Sequence, residues 1–380
     1  MTLHVQSYLR SKLPARGSLA EKNQQKLAEL EATYNVKARR HGHYPNLVLL
    51  KYGIDADFTN AMVRECRGIV LDEANDWAVV SRAFDKFGNH GESYAATIDW
   101  ATARVQEKLD GSLCVLYHYD GAWHVATSGS PDASGEVQRA GEHEAIRERT
   151  GTTFADYFWQ TFGAQGGRLP DPGFWGHLCF AFELMGPLNR IVVVHERPHL
   201  RLLGVRDRDS GEELGHAFAG LVNVEPVRAF PLSTMAEIEA SFAAISPLSQ
   251  EGYVVVDAAF NRVKVKHPGY VAIHHAKDGL GPRAFAEIAR SGEVPEVVAA
   301  FPELAPLLDK ARADFARLVA RTESRYKLIQ GVESQRDFAA EALKTPYSAA
   351  LFKMRKGMTA ADFYRSVPVD RLLEWMGVSQ

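Results

Sequence analysis

The 380-residue chain holds only three cysteines, Cys66, Cys114 and Cys179, and no CxxC pair. That excludes a disulfide framework and a zinc knuckle, and it suits a reducing compartment. No apolar run approaches the roughly 18 residues that a membrane-spanning helix requires. The opening Met1-Thr2-Leu3-His4-Val5-Gln6 lacks the charged-then-apolar layout of a signal peptide. The expectation is a cytoplasmic protein without a membrane partner. One-sided charge is missing too: 44 Lys+Arg against 47 Asp+Glu leave a net of -3. A polyanion would therefore be held by a local basic surface rather than by the field of the whole molecule. No Walker loop, persuasive GxGxxG or Ser-His-Asp order is present. His41/His43 and His274-His275 lack metal spacing with acids and read as surface residues or minor phosphate contacts.

What remains is an ordinary globular composition, 46% apolar and 24% charged, long enough for one large core or two moderate ones. Ser18 and Glu21 stand at capping-box spacing ahead of a polar helical stretch over 18–42. From about 66 to 270 short β runs dominate. The stretches 69–71 and 77–80 read as neighbouring strands, and 113–119 and 123–127 flank Asp120-Gly121 as a hairpin. Further runs are expected at 178–184, 191–194, 200–205 and 253–256, a helix over 137–163 and a surface loop over 163–173. Beyond about 275 the β pattern stops. Leu304, Leu307, Leu308, Ala311, Phe315, Leu318 and Val319 recur at helical spacing as a core-facing stripe. Thr359 and Gly377 bracket two shorter helices, with Pro368 near the start of the second. The fold class is α+β: a domain of antiparallel sheets flanked by helices over 1–275, then a small all-helical domain over 276–380.

Five segments carry chemistry. Lys108-Leu109-Asp110-Gly111 places an amine before a turn; an amine attacks phosphorus only when neutral, so Lys108 needs desolvation or neighbouring cations. Lys264 and Lys266 are candidates for those cations, since i and i+2 share a strand face while Val263 and Val265 face the core. Gly111 allows close backbone approach to a ligand, and Asp110 could orient the lysine or its substrate. Glu183 closes an apolar run and Glu251 opens another; two converging carboxylates suit Mg²⁺ (or Mn²⁺), usually through water. Arg67 stands at a strand entrance where its fork could grip ribose or phosphate, and Lys86 lies between Phe84 and Phe87. Each has an ordinary alternative: a solvated edge strand for Lys264 and Lys266, a salt-bridged acid for Glu183, an exposed turn for Lys-x-Asp-Gly, a packed loop for Lys86.

Taken together, Glu65-Cys66-Arg67-Gly68-Ile69, Ser81-Arg82-Ala83-Phe84-Asp85-Lys86-Phe87, Lys108-Leu109-Asp110-Gly111-Ser112-Leu113, the stretch from Phe182-Glu183-Leu184 to Asn189-Arg190-Ile191-Val192, Glu251-Gly252-Tyr253-Val254 and Lys264-Val265-Lys266 resemble the covalent nucleotidyltransferase superfamily of polynucleotide ligases and capping enzymes. Within it the chain is most similar to the bacteriophage type-one RNA ligases, over about 50 to 275. The resemblance implies a nucleotidyltransferase, ATP-grasp-like ligase fold for the first domain. It implies that Lys108 takes AMP from ATP, with catalytic parts for Asp110, Lys264 and Lys266. It further implies that Arg67, Lys86, Gly111, Glu183, Glu251, Lys264 and Lys266 hold the nucleotide, Glu183 and Glu251 also the metal through water. AMP would pass to an RNA 5′-phosphate, which a 3′-hydroxyl then seals, as in RNA repair or tRNA processing. A separate end-healing kinase or phosphatase is an implied partner. Two departures stand out: Gly88 where the family tends to have a second aromatic, and Ser128 where it tends to have a nearby lysine. The helical tail, in place of a β-barrel module, favours RNA ligase over a DNA ligase or a GTP-using capping enzyme. A non-catalytic nucleotide or RNA sensor is the alternative of another class, with the helical tail a candidate for RNA-substrate specificity.

Overall fold

The structure, a computed structural model, describes residues 2–11, 17–53, 55–140, 147–277, 281–292, 294–300 and 304–378. One compact unit ends at Lys266, and a second runs from His267. The first is a mixed α/β body whose named strands all pair antiparallel.

One four-stranded sheet runs in the order Val36–Arg40, Leu47–Tyr52, Arg67–Asp72, Ala78–Ser81. Leu47-Val48-Leu49-Leu50 is apolar at every position because both faces of its strand are covered. Val48 and Leu50 join Val5, Leu9, Leu27 and Leu30 of the helices His4–Arg10 and Leu19–Tyr34. Leu47 and Leu49 meet Val115, Tyr117, Ala126 and Cys179 of a five-stranded sheet. That sheet runs Glu213–Gly215, His199–Asp207, Leu178–Met185, Ser112–Tyr119, Ala122–Thr127, and packs its far face on the helix Phe154–Ala164. A third sheet, Ala229–Phe230, Arg104–Lys108, Gly252–Val256, Arg262–Lys266, buries Val105, Tyr253, Val255, Val263 and Val265.

Several expectations hold: the Ser18–Glu21 capping box, the Asp120-Gly121 hairpin with φ of 48° and 78°, and the Thr359 and Gly377 helix ends. Three element assignments need correcting. The helical stretch expected over 18–42 ends at Tyr34, where Asn35 takes a left-handed φ of 53° and Val36–Arg40 follows as a strand. The helix expected over 137–163 is confined to Phe154–Ala164; Glu136–Ala140 and Arg147–Thr153 pair as strands, and 141–146 lie outside the described residues. Residues 191–194 are not a strand but an irregular segment, because the backbone N–H groups of Val192 and Val193 are taken by a side chain, Asp110. His41 is buried rather than at the surface, its Nδ1 accepting the N–H groups of His43 and Tyr44.

The second unit is helical throughout its described elements, from Pro268–Lys277 to Val369–Met376. In its longest helix, Ala305–Ile329, Leu308, Ala311, Phe315 and Leu318 are buried, while Leu307 of the expected stripe faces outward. Among the described residues no helix is long and apolar enough to cross a membrane.

Candidate active site

The register of the third sheet builds the site. Lys108, the last residue of its strand, lies opposite Gly252, which lies opposite Lys266; one row away Gln106, Val254 and Lys264 are opposed in turn. Opposed residues and their i±2 neighbours share a face, so Lys108, Lys264 and Lys266 project together while the alternating valines fill the core. Glu251 reaches back between the two lysine columns. Its Oε2 is 2.5 Å from Lys108 Nζ and its Oε1 is 3.0 Å from Lys266 Nζ, with the carboxylate buried. A buried acid holding two cations is a compensated charge, and it fixes where the Lys108 amine points.

Glu183 comes from the five-stranded sheet, opposite Leu113. Its Oε1 accepts the Gly111 N–H at 3.1 Å. Burial pushes its carboxyl up to about 7; Lys108 and Arg67 pull it down, and Glu251 and Asp110 push it further up. Gly111 is required by packing rather than by a turn: a Cβ there would lie 2.4 Å from the Leu184 carbonyl oxygen and 2.7 Å from Met185 Cγ. Asp110 is bound to the 192–193 backbone. Its Oδ2 accepts from Val192 N at 2.8 Å and Val193 N at 2.7 Å, pinning that segment beside the site.

Arg67 and Lys264 line the cleft, and Lys86 lies close enough to act on Lys264. Phe87 lies between the first two, with the Arg67 guanidinium 5.1 Å and Lys264 Nζ 4.8 Å from its ring centre. Arg67 Nη1 is buried without a hydrogen-bond partner among the described residues. Lys264 is driven down to about 6, first by burial and then by Arg67, Lys86, Lys108 and Lys266. Lys86 is lowered by burial first, then by Arg67, and its Nζ packs 4.7 Å from the Phe58 ring centre and 5.4 Å from that of Tyr52. It lines a neighbouring pocket that shares the Phe84, Phe87 and Arg262 wall, rather than the main cleft.

The family departures have local causes. A Cβ on Gly88 would sit 3.1 Å from Ala95 Cα and 3.1 Å from Glu92 Oε2, so an aromatic there would have to displace the 92–95 turn. Gly88 also gives its carbonyl to Lys264 N–H at 3.0 Å. Ser128 sits against Gly68, whose φ of +86° and virtual Cβ 2.8 Å from Ser128 Cα demand glycine.

These groups border a cleft of about 260 Å³ whose lining mixes charged side chains, among them Arg67, Glu107, Lys108, Glu183, Arg262 and Lys264, with the apolar Phe84, Leu113, Leu203, Val227 and Val254. A cleft that offers both apolar and cationic groups suits a base and its phosphates. Phe87 and Phe84 were foreshadowed by their places around Lys86. Leu203, Val227 and Arg262 carried no signal, because they are ordinary strand and loop residues brought in by tertiary folding. No group of three or more acidic, His or Cys side chains able to hold a metal is found among the described residues. Glu183 and Glu251 are nevertheless close enough to raise the Glu183 pKa, and a divalent cation with oxygen ligands would relieve that repulsion. The donor set fits.

Comparison with known proteins places these residues in context. The model of a family described as RNA ligase matches residues 65–270. An RNA ligase of Rhodothermus phage RM378 is 27% identical over 312 residues, 67% of this chain and 69% of that protein. A relative in Autographa californica nuclear polyhedrosis virus, whose name joins polynucleotide kinase to RNA ligase, is 26% identical over 340 residues; that alignment takes in 86% of this chain but only 47% of the viral protein. Among solved structures, an archaeal ATP-dependent RNA ligase aligns with TM-score 0.46 and 13% identity, over 78% of this chain and 79% of that one.

Proposed function

The chain belongs to the RNA ligase family, and on that premise we propose that it is an ATP-dependent RNA ligase working through a lysyl-AMP intermediate on Lys108. The observation that carries the reading is the placement of Lys108, which lines a cleft together with Arg67, Lys264 and apolar side chains while its Nζ is held by buried Glu251.

In the first step the Lys108 amine, its proton passing to the Glu251 carboxylate 2.5 Å away, forms a bond to the α-phosphorus of ATP. The bond from that phosphorus to the β-phosphate oxygen breaks, and pyrophosphate leaves. Lys266 and Arg67 offset the charge that builds on the phosphates, joined by Lys264 when the bound phosphates draw a proton back onto its amine. Glu183 and Glu251 would hold Mg²⁺ or Mn²⁺, through water, which would neutralise phosphate charge when bound. AMP then passes to an RNA 5′-phosphate, and a 3′-hydroxyl displaces it to close the phosphodiester. Asp110 is a positioning residue here, holding the 192–193 backbone.

In this reading the first unit adopts the nucleotidyltransferase fold and the helical unit contributes to the choice of RNA. The kinase joined to the viral relative is consistent with a separate enzyme that heals ends. Sealing assays on 5′-phosphorylated RNA and on nicked DNA duplex, with ATP or GTP, test the proposal. RNA is expected to be joined with ATP; faster joining of the DNA nick, or dependence on GTP, would contradict it.

A further inference from the structure

A row of cations leads away from the nucleotide cleft across the first sheet. Arg67, which borders the cleft, lies opposite Lys51 on the next strand, and Lys51 lies opposite Lys37 on the edge strand Val36–Arg40. Lys37 and Lys51, opposed in a regular ladder, share one face with Cβ atoms about 5 Å apart, where like charges repel, whereas a register shift between Leu50 and Lys51 makes the Arg67 pairing irregular. Arg39, two residues beyond Lys37, is on the same face. All three of Lys37, Arg39 and Lys51 are exposed. Arg40, on the other face, has its carboxylate partner in Glu73; Lys37 and Lys51 have no ion pair among the described residues.

The turn Thr127-Ser128-Gly129-Ser130 lies across the same strands. Its Ser128 presses on Gly68 beside Arg67, Lys51 Nζ comes 3.5 Å from the position of a Cβ on Gly129, and Arg39 Nη1 donates to the Gly129 carbonyl at 3.3 Å. The turn brings no charge of its own. A row of like charges without ion-pair partners lowers stability unless an anion offsets it, and Lys37 and Lys51 form such a row next to Arg67 of the cleft.

We propose that Lys37, Arg39 and Lys51 form a phosphate track that binds the backbone of the RNA strand whose 5′ end is delivered to the nucleotide cleft. The proposal rests on the ligase reading for the direction of that strand. Because the chain as a whole is acidic by three charges, this local row is what would draw a polyanion to the first unit.

The test is the double variant Lys37→Gln/Lys51→Gln in the full chain, with three readouts. Its Tm should equal or exceed that of the parent, since a like-charge pair has been removed. Labelling by ATP carrying a radioactive α-phosphate, which needs no RNA, should match the parent. Affinity for a 5′-phosphorylated single-stranded RNA, followed by fluorescence anisotropy, should fall roughly tenfold near 0.1 M salt. The slope of log K against log salt should flatten by about 1.4, or about 0.7 for each phosphate no longer neutralised. Lys51→Arg, which keeps the charge, should bind RNA like the parent. Parental RNA affinity and salt slope in the double variant would overturn the track, as would loss of labelling together with loss of RNA binding. Failure of the parent itself to label would sink the ligase reading, and the binding measurement would still judge the track.

Discussion

Lys264 and Glu183 are displaced in opposite directions, and the two shifts give opposite pH signatures. The Lys264 amine titrates at about 6 in the folded chain against an ordinary 10.5. The unfolded chain therefore binds more protons between those values, and stability rises with pH across that window. Lys264→Met should raise Tm, more at pH 6 than at pH 9. The Glu183 carboxyl titrates at about 7 against an ordinary 4.5, so its cost is absent below 4.5 and complete above 7. Glu183→Gln should raise Tm at pH 8 and leave it unchanged at pH 4. Scanning calorimetry at the paired pH values checks both; a gain from Lys264→Met that grows with pH would contradict the assigned cause. At this scale Lys108, Glu251, Lys264 and Lys266 were legible because chemistry-bearing side chains interrupt apolar strands. The direct grip of Glu251 on Lys108 was not, because it depends on pairing between segments 143 residues apart.

The element built around Asp110 shows why alternating apolar letters are an incomplete guide. Residues 191–194 look like a strand, yet the Val192 and Val193 donors go to a buried carboxylate instead of a neighbouring strand. Removing that acceptor leaves two backbone N–H groups unsatisfied. Asp110→Ala should therefore cost about 3 kcal/mol in denaturant unfolding, from charge-assisted hydrogen bonds worth roughly 1.5–3 kcal/mol each. Asp110→Asn, which retains an acceptor, should cost less. Equal stability of the alanine variant would show that the 192–193 segment is held by other means. Other elements were legible where their signals are local. The Asp120-Gly121 turn and the Ser18 cap each depend on a few adjacent residues. The strand pair Glu136–Ala140 and Arg147–Thr153 was missed because its alternation is polar and exposes no apolar face to read.

For the molecule as a whole, the antiparallel sheets and the helical tail were both readable from the change in period near residue 270. The way the sheets bring Lys108, Glu183 and Arg67 to one cleft was not readable from period. It follows from three separate sheets meeting there, and only the resemblance in motif order hinted at it. Peptide mapping by mass spectrometry after incubation with ATP and Mg²⁺ asks directly whether Lys108 is the covalent carrier. The adenylyl group should sit on the peptide containing Lys108, and Lys108→Ala should lower adduct formation by a factor on the order of 10³ or more, as loss of a nucleophile does. An adenylyl group on Lys264 or Lys266, or an adduct that persists in the alanine variant, would contradict it.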